Sequence, residues 1–353
     1  MGLVDADIRR AATLPSRYYT DPDLFEELRK CFGEHWCFAG HASEAEVDSI
    51  LPLAHVEAQT GEPMLLTKQG GDLSIISGVC THRGMILVDE PCQGKVIQCP
   101  YHGRTFGLDG SFRAMPGFED VEDFPTPKDD LAAFASESWN GFHFTTLSAT
   151  DFDGWFKPFA ERMAWWPKDR EIVHDPSRHR DHTLDANWIA YVDNYLEGFH
   201  IPYVHGDLHA TLDHDGYRTE LFDGGVLQIG QAREGEPCFD LPPDAPDHGD
   251  RIAAYYWWFF PGLMLNVYPW GMSVNIVVPE AVGRTRVIYR GYVTDQSKVG
   301  QGAGGDVDKV EMEDQVVVAG VQRGMASATY DRGRYSPKHE VGVHHFHLLL
   351  SRK

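Results

Sequence analysis

Basic residues are scarce in this chain: 31 Lys and Arg stand against 53 Asp and Glu among 353 residues, a formal charge of −22. With no basic block to release counterions from a phosphate backbone, nucleic acid is not an expected partner. The acidity fits a soluble surface, and salt adaptation is the other source of such a balance. Long apolar runs are missing too. No stretch reaches eighteen apolar residues, so no membrane partner is expected. The opening Met1-Gly-Leu-Val-Asp-Ala-Asp has neither the basic nor the apolar region of a signal peptide, which predicts a cytoplasmic protein. Only six cysteines occur, and Cys31, Cys37, Cys92 and Cys238 show no disulfide framework; they are expected to be buried free thiols. A working dinucleotide fingerprint is also absent. The G-x-G-x-x-G match from Gly300 to Gly305 sits in a Gly-rich loop, opens no βαβ unit and has no Lys-Ser/Thr after it. No internal repeat is visible.

The length allows two domains. Residues 22–36 read as an amphipathic helix, with Leu24, Phe25, Leu28 and Cys31 at helical spacing behind Asp21-Pro22-Asp23. From about Cys37 to Phe144, short apolar runs alternate with turn signals such as Gly70-Gly71-Asp72 and Asp109-Gly110, which predicts a small all-β unit. Residues 148–154 form the expected transition, and a helix follows through Trp155 and Met163. The rest reads as mixed α+β: a helical stretch over 187–199, two apolar strands within 253–278, a strand over 284–293 and a final long helix over 311–328. The division is therefore 1–36, an N-terminal helical segment packing on the larger domain, then 37–147 and 148–353.

The chemistry lies first in Cys80-Thr-His82 and Cys99-Pro-Tyr-His102-Gly. Zinc fingers pair Cys with Cys and His with His, whereas each pair here mixes the two. Two inequivalent irons suit that mixture, so the motif is read as a [2Fe–2S] site with two thiolates on one iron and two imidazoles on the other, zinc being the alternative. Far along the chain, Glu197-Gly-Phe-His200-Ile-Pro-Tyr-Val-His205 supplies two more imidazoles for a non-haem iron with a later carboxylate. Five positions on an unbroken helix would turn these histidines about 140° apart. Pro202 is expected to end or distort the helix after His200 and let His205 swing back. His205 with His209, at i and i+4, is the competing pair. Asp314 and Glu313 lie about 100° apart on the later helix, so only one can be the ligand. His344, His345 and His347 are assigned to packing or surface. The uncharged aromatic run from Tyr255 to Trp270 is mostly core, yet Tyr268 and Trp270 stand at a strand-to-turn transition, where aromatic faces can bind a cation.

These motifs resemble those of the oxygenase α-subunits of Rieske non-haem iron oxygenases, and the similarity runs over nearly the whole chain. The resemblance implies an α+β fold in which a small all-β Rieske domain joins a catalytic domain with an antiparallel sheet flanked by helices. It implies that Cys80, His82, Cys99 and His102 bind the cluster and that His200, His205 and Asp314 bind mononuclear Fe(II). It also implies that Glu197 bridges a metal-bound histidine to a cluster histidine, His102, of a neighbouring subunit, which requires a closed ring, expected to be a homotrimer. Electrons would come from a separate reductase that carries the NAD(P)H and flavin chemistry, and O2 would be the co-substrate. Arg104 departs from the Trp found in many relatives, with an expected effect on docking at the cluster. Val192-Asp-Asn-Tyr-Leu-Glu-Gly-Phe-His, Leu265-Asn-Val-Tyr-Pro-Trp-Gly and Val321-Gln-Arg-Gly-Met look most similar to the branch oxidising quaternary and tertiary amines. That implies hydroxylation or N-demethylation of a small amine. Aromatic-ring or aromatic-acid hydroxylation or O-demethylation is the alternative, followed by an electron-transfer protein with an inactive second site.

Overall fold

The computed structural model describes residues 3–148, 150–167 and 170–352. Ala149, within the expected transition, lies outside the described residues. The chain divides into two compact units, Phe32–Phe152 and a second built from Met1–Cys31 with Asp153–Lys353. No helix among the described residues is long and apolar enough to cross a membrane.

The smaller unit is mainly antiparallel sheet with one seven-residue helix, Ala54–Thr60. Its core gathers Ile50, Leu65, Ile76, Leu87, Ile97, Phe106 and Leu108, and Cys80 and Cys99 belong to the same buried cluster. Two sequence expectations change here. Residues 22–36 do not form one helix: Asp21 caps Pro22–Leu28, the chain turns at Arg29, and a separate turn of helix follows at Cys31–Glu34. Nor are all four remaining cysteines buried, since Cys92 is exposed on a two-residue strand and Cys238 is half-buried.

The larger unit is organised on seven strands: β1 (Val173–Leu184), β2 (Leu212–Phe222), β3 (Gly225–Ala232), β4 (Ile252–Phe259), β5 (Leu263–Tyr268), β6 (Gly271–Ala281) and β7 (Arg284–Val293). Their order is β1-β7-β6-β5-β4-β3-β2, with every pairing antiparallel. β4 and β5 read as one nearly continuous apolar stretch, interrupted within β5 only by Asn266, because nearly every residue in them is buried. That uniformity hid the turn at Phe260-Pro261-Gly262, so the stretch expected as two strands is three.

Helix α1 (Trp188–Tyr195) starts at Asn187, whose side chain accepts from Ile189 N at 3.0 Å. Two short helices follow, α2 (Ile201–Val204) and α3 (Gly206–Thr211). Helix α4 (Val307–Met325) begins before the expected Glu311, at the cap Asp306, and α5 (Val341–Leu350) is a further, final helix. α5 buries His344 and His347, and His347 links Tyr335 to Asp193 at 2.6 and 2.7 Å. The N-terminal segment joins this network through the Tyr19 hydroxyl, which donates to Asp193 Oδ2 at 2.7 Å.

Candidate functional site

The two Cys-His loops of the smaller unit share one backbone design. Cys80 N donates to Met85 O at 2.8 Å and Cys99 N to Arg104 O at 2.7 Å; Gly84 N and Gly103 N return to the Cys80 and Cys99 carbonyls at 3.0 and 3.1 Å. Both glycines sit at positive φ, 69° and 76°, where a side chain would strain the turn. Each thiol therefore points into the core while its histidine stays at the surface: His82 is half-buried and His102 exposed, with ring centroids 4.9 Å apart. No three of these donors gather within 4.8 Å. A two-iron cluster suits that spread better than a single zinc ion. Burial, then the neighbouring His102, holds His82 below the usual imidazole value, favouring the neutral form that ligates.

Arg104 is 2% exposed and so cannot meet a docking partner directly, contrary to expectation. Its guanidinium lies 5.0 Å from the Phe112 ring and donates to Asp129 Oδ1 at 2.7 Å. Because Thr81 Oγ1 donates to the Asp129 carbonyl at 2.9 Å, this residue ties the two loops together.

In the larger unit the segment carrying Glu197 and His200 is a turn, not the end of a helix. α1 stops at Tyr195, and at Gly198 a Cβ would stand 2.9 Å from the Tyr217 ring, so the chain bends where only glycine fits. Pro202 then lies in the first turn of α2, beginning a helix instead of ending one, as its fixed φ favours. Glu197 wraps this turn, with Oε2 accepting from the Phe199 and His200 amides and Oε1 2.7 Å from His200 Nδ1.

The two imidazoles converge on one carboxylate. His205 Nε2 lies 3.0 Å and His200 Nε2 3.5 Å from Asp314 Oδ1, and Asn194 Nδ2 donates to the same oxygen at 2.7 Å. Among the described residues these three form the one group of His, Cys, Asp or Glu donors within 4.8 Å of one another. Ligands bonded at about 2.0–2.2 Å stand about 3 Å apart when adjacent, so the set fits a single ion. Glu313 is engaged at the other nitrogen, with Oε2 2.7 Å from His205 Nδ1. Each histidine thus has a carboxylate on Nδ1 and Asp314 before Nε2, the arrangement that orients imidazoles toward a metal. Burial opposes a protonated His205, but Asp314 and Glu313 outweigh it and hold the ring above its usual pKa, so the site favours positive charge. His209 is elsewhere, its Nδ1 2.6 Å from His214 Nε2.

A cavity opens onto these groups. Its floor is a row of directly paired residues, Gln228, Tyr256 and Asn266, running across β3, β4 and β5. Tyr268, two residues beyond Asn266 and so on the same face, also lines it. Trp270 does not. It stacks on Tyr268 at 5.4 Å, donates Nε1–H to Gly304 O, and lines a separate cavity beneath the Arg178 guanidinium, 4.3 Å from its ring. Sequence reasoning missed Asn194, Gln228, Asn266 and Glu311; for Gln228 and Asn266 the available signal was a polar residue interrupting a buried apolar strand, which folding tolerates only with a partner.

The sequence matches two family models in succession: residues 35–125 the Rieske [2Fe-2S] domain, and residues 163–353 the catalytic domain of the ring hydroxylating alpha subunit. The chain belongs to this family of Rieske iron oxygenases and is an enzyme that uses a [2Fe–2S] cluster and a mononuclear iron. It is 30% identical over 361 residues to the chloroplastic choline monooxygenase of Beta vulgaris, covering 96% of this chain and 76% of that one. Identity to the carnitine monooxygenase oxygenase subunit of Escherichia coli K12 is 29% over 368 residues, 98% and 95% of the two chains. Solved structures of the quaternary ammonium Rieske monooxygenase CntA share the fold. One contains L-carnitine (TM-score 0.79, 25% identity, 98% and 97% covered) and another is described as revealing inter-subunit electron transfer (0.80, 27%, 98% and 96%).

If the Glu313 carboxylate positions His205, Glu313→Gln is expected to weaken iron retention about tenfold, within the 10–100-fold range for such partners. Iron released during chelator titration measures it, and unchanged retention would remove Glu313 from the role.

Proposed function

We propose that this chain is the terminal oxygenase of a multicomponent cytoplasmic system that hydroxylates or N-demethylates a small quaternary or tertiary amine. The observation that carries the reading is the lining of the cavity beside Asp314, where tyrosines and amides surround the space and no Lys or Arg is present among the described residues. Such walls suit an onium ion and supply no Lys or Arg to pair with an aromatic carboxylate. Similarity to choline and carnitine monooxygenases supports the same substrate class.

In this reading Cys80 and Cys99 ligate one cluster iron, His82 and His102 the other, and His200, His205 and Asp314 hold the mononuclear iron. When bound, the cluster relays single electrons and the iron activates O2. The protein's own part is positional: Glu313 and Glu197 keep the Nδ1 protons of His205 and His200, leaving Nε2 free to ligate, while Asn194 fixes Asp314. One O2, two electrons and two protons give hydroxylated substrate and water. Hydroxylation of an N-methyl carbon yields a carbinolamine, which releases formaldehyde and the demethylated amine. Electrons come from a separate reductase.

The working unit is a homotrimer in which Glu197 of one subunit faces His102 of the next. Exposed apolar side chains support this contact: Phe199, Tyr203, Met312 and Val316 on the catalytic unit, and Met85 and Tyr101 on the Rieske unit. A head-to-tail contact that covers both patches closes into a ring when each subunit is rotated by a third of a turn from the last. The test is an oxygen-consumption screen of reconstituted protein, with reductase, against choline, betaines, carnitine and aromatic acids. Turnover with formaldehyde or hydroxylated amine is expected. Turnover confined to aromatic acids would replace the amine reading with ring hydroxylation.

A further inference from the structure

Three carboxylates line the cavity, and two are already engaged with imidazoles: Glu197 at His200 and Asp314 before both histidines. The third is Glu311, 4% exposed and one helical turn before Asp314. Tyr289 donates to its Oε2, as does Tyr191 at 3.2 Å, and the two hydroxyls lie 2.8 Å apart. Among the described residues Oε1 has only Gln315 Nε2, at the long distance of 3.5 Å. A buried carboxylate is thus held by two phenols on one oxygen and leaves the other underused beside the cavity.

We propose that Glu311 is the counter-ion of the substrate's onium nitrogen, and hence the residue that selects a quaternary amine and sets which carbon is oxidised. The inference rests on the amine-oxygenase reading above. Among the described residues no Lys or Arg lines the cavity, so Glu311 has no cationic side chain of its own, the positive charge that the site favours being paired with Asp314 and Glu313 at His205. Burial pushes Glu311 up to about 7, Asp314 adds to the rise, and the Tyr289 hydroxyl opposes it. A contacting cation removes that disadvantage, which a neutral ligand cannot do. Residues three apart on a helix place their Cβ atoms about 5–6 Å apart, so an onium held at Glu311 brings its own N-methyl groups toward Asp314. Tyr256 and Tyr268, on the sheet that floors the cavity, supply aromatic faces.

The test is binding to the metal-loaded protein, read by calorimetry without turnover, for the cations choline and homocholine and, for each, the neutral analogue with carbon in place of nitrogen. Glu311→Gln keeps an acceptor for both tyrosines but removes the charge. It is expected to weaken the cations about tenfold or more and leave the neutral analogues within about twofold, with Glu311→Asp restoring the preference for the cation. Equal losses for cation and analogue, or none, would overturn the proposal and leave Glu311 as a structural acceptor. Should Glu311→Gln not fold, the unmodified protein decides. A cation preference above about a thousandfold exceeds what the two aromatic faces together give and supports Glu311; a smaller one overturns it. If neither cation binds the unmodified protein, the amine reading itself fails, an outcome distinct from both.

Discussion

Replacing Asp314 by alanine is expected to remove one iron per chain and abolish substrate-coupled oxygen consumption, while the visible absorption of the cluster stays unchanged. The expectation follows from where the oxygen sits. Asp314 Oδ1 is the point on which His200 Nε2, His205 Nε2 and Asn194 Nδ2 converge. Its deletion leaves two neutral imidazoles and no anionic ligand, and retention should fall by more than about a hundredfold, the upper end of what loss of a mere orienting partner costs. The fold should survive, because Asp314 is half-buried on a helix whose buried residues are Glu311 and Val318. Cys99→Ala serves as the mirror control: the cluster spectrum should vanish with the catalytic unit still folded, since Cys99 belongs to the core of the smaller unit alone. Iron analysis with absorbance and circular dichroism separates these outcomes. Iron and activity retained in Asp314→Ala would move the ligand to Glu313 or elsewhere.

The choice between Asp314 and Glu313 shows where reading a sequence stops. Helical phase says that neighbours face about 100° apart, but not which faces the histidines. In the folded chain both carboxylates meet His205, one at each ring nitrogen. Local motifs were legible for a physical reason: a Cys-x-His or Cys-x-x-His loop closes within six residues, and glycine at its positive-φ corner is visible in the sequence. The α+β organisation was legible too, because strand and helix periods differ. The cavity was not. Gln228, Tyr256 and Asn266 become neighbours only through strand register, and Tyr191 reaches Glu311 across 120 residues. Glu197 and His200 meet as their spacing of three suggested, though through a turn wrapped by the Glu197 side chain rather than along a helix.

That turn makes Glu197→Gln the most informative substitution at the proposed subunit junction. Glu197 Oε1 lies 2.7 Å from His200 Nδ1, and Oε2 accepts from two backbone amides, so the carboxylate spends three contacts within its own subunit. A carboxylate still has lone-pair capacity beyond these, enough for one imidazole N–H from a neighbouring subunit's cluster loop. Glutamine keeps the volume and one acceptor oxygen but replaces the other with a donor, and it cannot carry the charge that fixes proton positions on two imidazoles at once. The turn should therefore hold, with metal content, oligomeric state and substrate affinity retained, while reoxidation of the reduced cluster by O2 and substrate slows by at least about a hundredfold, which corresponds to about 2.7 kcal/mol on the barrier. Stopped-flow absorbance after anaerobic reduction measures this directly. Cluster reoxidation at the unmodified rate in a fully metallated Glu197→Gln protein would show that electrons reach the iron without this carboxylate, and the junction would have to be sought among the other exposed groups around His200.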